Sequence, residues 1–322
     1  MEGVPGATSN TSSKGKIYTH LNPHPDEIAC IWWAKKTMAW VREAEIIYVH
    51  SRNPLPPLNG DAQVLCFGVG GGQYDHHGKQ LERTCSLAMF VERMGVAGDP
   101  GLKPIVELIT KLDNAERVSA TDVGRILQGF PGRLRNPDSS VDWPTIMTRH
   151  FEIYDIIYFQ ETRRVHDQAE LNKFASWKRL KNGIMVGTLF GRPDLSAVAF
   201  ESGIPDVVIW TQRFGAGKGF YVGIQMNRLS LVKLGKVAAV LRLAEFRKRG
   251  REVPIDQLQN PGRHPLDGID DWYLDDECRF ILRGSRSYPI DQNQRTKLTE
   301  QEIETLACQA LEELSLRNWR VN

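Results

Sequence analysis

Two short clusters hold the side chains with the greatest capacity for chemistry. His20, His24 and Asp26 form an H-x3-H-x-D cluster, and Asp75-His76-His77 follows the glycines Gly68, Gly70, Gly71 and Gly72. Two imidazoles and a carboxylate within seven residues suit a borderline divalent ion such as Mn²⁺ or Zn²⁺. Asp113 is a third contribution. It is predicted to close a helix, where the macrodipole favours a cation, so its carboxylate needs a compensating charge that a metal would supply. Four of the eight histidines fall in these clusters, each beside a predicted strand end and an acid, which sets them apart from isolated surface histidines.

The surrounding elements decide whether these residues can meet. Lys16-Ile17-Tyr18-Thr19 reads as a short strand ending at His20. A turn with Pro23 and Pro25 leads into a helix that Asp26 can cap, with Glu27 in its first turn and Ile28, Cys30, Ile31, Ala34 and Met38 as its apolar face. Glu45–Val49 and Val64–Phe67 are the next strands. This order predicts an α/β fold with a mainly parallel sheet, whose ligands gather beyond the carboxyl ends of its strands. Four glycines in five positions belong to a loop where the backbone turns sharply or approaches something closely. Helices are predicted over 85–94 and 104–112, and a long one over about 143–181 with a polar middle.

The pattern divides the chain into an N-terminal domain over 16–165 and a smaller C-terminal α/β domain over 183–322. In the latter, 198–200, 207–210, 219–224 and 279–283 read as strands, and 234–249 and 299–316 as helices. Gly215–Gly219 with Lys218 lacks the spacing of a P-loop, because Gly219 follows the lysine. Lys218, Arg283 and Ser285 are the candidate substrate-binding residues, with Arg283-Gly284-Ser285 at a strand end offering a guanidinium fork to a phosphate.

Composition narrows the classes. The 322 residues carry 41 basic and 39 acidic side chains, a net charge of +2, which argues against wholesale coating of nucleic acid. No apolar run reaches the roughly 20 residues that span a bilayer, so no membrane partner is expected. The five cysteines form no CxxC pair and read as reduced thiols, which points to a cytoplasmic location. Trp32, Trp33 and Trp40 stand at helical spacings and suit a core or a subunit interface, so a homodimer is an allowed expectation.

From His20 to Asp26, through Asp75-His76-His77, to Asp113, the chain resembles the DHH phosphoesterase superfamily, and especially its branch of metal-dependent exonuclease-like proteins. The resemblance covers 16–114. It implies a binuclear Mn²⁺ site, with Zn²⁺ or Co²⁺ as alternatives, and hydrolysis of a phosphoester in a nucleotide or short nucleic acid by in-line attack of an activated water. Carried over, His20, His24 and Asp26 are metal ligands, and Asp113 is the last of them. Of His76 and His77, one binds metal and the other lies near the phosphate, while Asp75 ligates or orients. One position departs from the pattern. Where the family has Asp-Val-Gly, with that Asp bridging two ions, this chain has Gly68-Val69-Gly70. Three outcomes are compatible with Gly68: Asp75 substitutes, a single ion binds, or catalysis is lost and the domain binds a nucleotide or protein partner without turnover.

Overall fold

The computed structural model describes residues 15–50, 63–76, 83–116, 121–213, 219–252, 258–261, 272–284 and 295–314, with residues 55, 119 and 255. It separates into two units of nearly equal length, 1–163 and 164–322.

The first unit is built on strand β1 (Lys16–His20), helix α1 (Pro25–Thr37), β2 (Glu45–Val49) and β3 (Val64–Cys66). The three strands form a parallel sheet in the order β2-β1-β3. β1 is central, and Ile17, Tyr18 and Thr19 are all buried, which explains why it reads as a continuous run rather than an alternating one. α1 is buried from Asp26 through Ala34, with its Trp32 ring against Tyr154. Three shorter helices follow: α2 (Ser86–Arg93), α3 (Lys103–Asp113) and α4 (Val123–Arg133). The Asp122 side chain caps α4 by accepting from the Gly124 N–H at 2.8 Å. α5 (Trp143–Phe174) sets Ile146, Met147, His150 and Tyr154 into the core of this unit, and the unit boundary falls within it. The Tyr154 hydroxyl donates to the Pro25 carbonyl at 3.0 Å, tying α5 to the start of α1.

The second unit contains β4 (Ser176–Arg179), β5 (Met185–Leu189), α6 (Ser196–Glu201), β6 (Val207–Arg213), β7 (Phe220–Met226), α7 (Gly235–Lys248), β8 (Tyr273–Leu274), β9 (Phe280–Arg283) and α8 (Glu300–Glu312). Among the described residues its six strands lie in the order β4-β5-β6-β7-β9-β8, where β5 and β6 pair parallel and the other neighbours antiparallel. The strand expected at 198–200 is instead the helix α6, which Pro193 and the turn before it start; three apolar residues are too few to distinguish the two periodicities. The long helix ends at Phe174 rather than near 181, because 176–179 pairs with β5. Among the described residues, no helix is long and apolar enough to cross a membrane.

Candidate metal centre

Because β1, β2 and β3 run parallel, their carboxyl ends share one edge of the sheet. His20 lies in register with Val49, and the Phe67 N–H donates to the Tyr18 carbonyl at 2.9 Å, which brings the glycine loop beside the end of β1. The chain then turns into α1, with His24 as its N-cap and Pro25 in the first turn, where a missing N–H costs nothing.

Glu27 organises this corner. It is fully buried, and it bonds the Nδ1 of His20 through Oε1. Its Oε2 accepts from the Thr19 hydroxyl at 3.0 Å and from the His24 backbone N–H at 3.3 Å. The bond to Glu27, helped by the charges of Asp75 and Asp26, holds the His20 pKa above its ordinary value against the opposing effect of burial. Gly68 has φ +68°, and a Cβ there would lie 2.1 Å from Glu27 Oε1. Glycine at 68 and the buried carboxylate of Glu27 therefore occupy one space between them.

His24, Asp26 and Asp113 converge so that one ligand atom from each lies within 4.8 Å of the others. Asp26 is 2% exposed, and its Oδ2 is buried with no hydrogen-bond partner among the described residues. Such an oxygen is costly unless something cationic or protonated meets it. Asp113, the last residue of α3, is held by His76, whose Nε2 lies 2.8 Å from its Oδ2, while the His76 Nδ1 is 3.3 Å from the buried Ser86 hydroxyl. His76 thus reaches the cluster through Asp113 and is not one of its three converging ligands.

Asp75 is buried, and its Oδ2 accepts from the Gly71 N–H at 2.8 Å, closing the glycine loop. It lines, with His20, His24, His50 and Gly68, a cavity of about 440 Å³ beyond the strand ends. A second cavity of about 460 Å³ opens on the other side of His24 and Asp26, toward α3, α4 and α5. His50 and His150, which line these two cavities, were not among the sequence candidates. His50 follows β2 directly, so its place at a parallel strand end was the available signal; His150 sits in an apolar helical stripe and carried none.

His77, Lys218 and Ser285 lie outside the described residues. Arg283 does not stand at an exposed strand end as expected. It is 1% exposed, its guanidinium lies 5.3 Å from the Trp272 ring, and its Nη2 is 3.8 Å from Glu245 Oε1, so the second unit's core withdraws it from solvent.

The family model that matches the chain is that of the ChrB C-terminal domain, over residues 18–160. The match contains every residue of the centre just described, and it is a different family from the one the sequence motifs resemble. No curated protein matches. Among solved structures, a pGpG-specific phosphodiesterase, PggH, from Vibrio cholerae is similar at 11% identity and a TM-score of 0.32, covering 71% of this chain and 89% of its own. The DHH domain of a member of the s1p family of ribosomal proteins is similar at 10% identity and a TM-score of 0.30, covering 94% and 87% respectively.

Proposed function

We propose that the chain is a divalent-metal-dependent hydrolase of phosphoesters, acting on a nucleotide or short nucleic acid, with one ion held by His24, Asp26 and Asp113. The buried, unpartnered Oδ2 of Asp26, set between an imidazole and a second carboxylate, carries this reading. One nitrogen and two carboxylates fit Mn²⁺, and also Zn²⁺ or Co²⁺. A divalent ion held there would supply a Lewis acid and would bring the pKa of a water down toward neutrality.

The remaining roles fall to the chain itself. His76 fixes the Asp113 carboxylate through Nε2, and Glu27 orients His20 through Nδ1 at the wall of the adjoining cavity, as outer-shell partners orient working groups. A single ion is favoured because a pair needs shared negative charge between its members. Gly68 supplies none, and both oxygens of Glu27 are engaged by Thr19, His20 and the His24 N–H. The missing carboxylate at 68 also supports the competing reading, a relative that binds a nucleotide or a protein partner without turnover.

Titration calorimetry with Mn²⁺ on the full chain, together with hydrolysis of dinucleotides and short RNA, tests the proposal. One ion should bind, and Asp26→Ala should abolish both binding and hydrolysis with an unchanged circular dichroism spectrum. His76→Ala should weaken the metal roughly 10–100-fold, the cost of losing an outer-shell partner. Unaltered Mn²⁺ affinity in Asp26→Ala refutes the site, and absence of hydrolysis with Mn²⁺, Co²⁺ and Zn²⁺ leaves the binding reading in its place.

A further inference from the structure

We propose that the cavity on the α3–α4–α5 side of the His24–Asp26–Asp113 cluster binds a neutral heteroaromatic ring bearing an N–H donor, such as a nucleobase, and so selects the organic part of the substrate. The inference rests on the reading of the cluster as a phosphoester site, and it assigns this cavity a role which that reading does not use.

The volume, about 460 Å³, lies within the range of small-molecule sites, roughly 300–1,000 Å³. Its walls are mostly apolar, with Ile109 and Leu127 fully buried behind them and Trp143 at the start of α5. Among the described residues that line it, polar groups stand at four places, one of them the exposed Asn22 before the cluster. The cluster forms one end, Gln128 and Arg135 are on exposed positions at the rim, and His150 lies in the wall.

His150 determines the chemistry of the occupant. It is 1% exposed, its Nδ1 is 2.9 Å from the Ile146 carbonyl, and its ring packs between Phe130 and Tyr154 at centroid distances of 5.4 and 6.0 Å. A carbonyl only accepts, so Nδ1 carries the proton and Nε2 is left as an acceptor. Burial lowers the pKa and favours this neutral form. Nε2 is itself buried and has no hydrogen-bond partner among the described residues.

An aliphatic occupant would leave that acceptor unmatched, and a sugar or other polyol would leave most of its hydroxyls against apolar walls. A flat, uncharged ring with an N–H on its edge satisfies both demands. Two carboxylates at one end of the cavity oppose any anion unless a cation is bound between them. The ring and the phosphate of one substrate are therefore expected to differ in their need for metal.

Titration calorimetry of the full chain with adenosine, and with ribose as the control, tests this in metal-free buffer. Adenosine should bind saturably and ribose should not. His150→Phe, which keeps the ring and deletes the acceptor, should weaken adenosine by about 10-fold, as expected for one unmatched hydrogen bond. Leu127→Trp should abolish binding by filling the cavity, and both variants should keep the wild-type affinity for Mn²⁺. With Mn²⁺ present, 5′-AMP should bind more tightly than adenosine, and without it more weakly. Adenosine binding that is absent, or indifferent to both variants, overturns the proposal; if Mn²⁺ binding and phosphodiester hydrolysis persist in that case, the hydrolase reading stands alone. Conversely, adenosine binding that is weakened in His150→Phe and lost in Leu127→Trp supports the cavity even in a chain that fails to hydrolyse any phosphoester.

Discussion

Gly68→Ala destabilises the first unit by about 3 kcal/mol or more, an effect at the upper end for a single added methyl group. Two costs combine. The residue sits at φ +68°, which an L side chain adopts at a penalty of about 1–2 kcal/mol. The new Cβ also falls 2.1 Å from Glu27 Oε1, and that carboxylate cannot swing away without breaking its bonds to Thr19, His20 and the His24 N–H inside a buried corner. In a Glu27→Ala background the second cost disappears, so the same glycine substitution should then cost only the backbone penalty of about 1–2 kcal/mol. Urea unfolding of the wild type, both single variants and the double variant measures the coupling. Strictly additive costs would mean that 27 and 68 do not share one space. The same geometry bears on function. Gly68→Asp alone does not restore a bridging ligand, because it sets a second carboxylate against a buried one that is already bonded. The buried carboxylate of this corner is that of Glu27 on α1, where it orients His20.

The pairing of Glu27 with Gly68 is not legible in the sequence. The strand ends and the start of α1 follow from local patterns plus one rule about parallel sheets, whereas a place for Asp113 beside His24 and Asp26 is what the family resemblance implies, since Asp113 closes a helix and not a strand. β1, β2 and β3 each announce themselves by short β-rich runs, and the glycine loop by its composition. Glu27 reads in sequence only as an acid in a first helical turn, a common and bland position. Its meaning comes from Gly68, and nothing local links the two. The sequence pattern does not mark α4, because Gly124, Gly129, Pro131 and Gly132 lower its helical propensity, and packing of the buried Leu127 overrides them. The burial of Arg283 is hidden from the sequence for a related reason. A basic residue at a strand end is normally solvated, but the fold covers this one with Trp272 and sets it near Glu245, which the strand pattern does not encode.

Glu245→Ala lowers the stability of the second unit by about 3–5 kcal/mol, the range for removing one partner from a buried ion pair. Glu245 and Arg283 are each 1% exposed, so the guanidinium loses a counter-charge without gaining water. The carboxylate also accepts from Arg249 Nε at 2.7 Å, from the Thr296 hydroxyl at 2.6 Å and from the Lys297 N–H at 3.0 Å, joining α7 to the segment that leads into α8. Burial alone would raise the pKa of Glu245, but the charge of Arg283 and these donors outweigh it and hold the carboxyl below its ordinary value. The stabilisation is therefore complete above the ordinary glutamate pKa and is lost as pH falls through the lower, folded one. Glu245→Gln separates charge from shape: its deficit relative to wild type should be full at pH 7 and shrink as the buffer is taken below pH about 4. Urea midpoints of the second unit's transition across that range make the measurement. A deficit that stays constant on acidification would show that Glu245 acts there through packing and hydrogen bonds alone, with its negative charge contributing nothing to the fold.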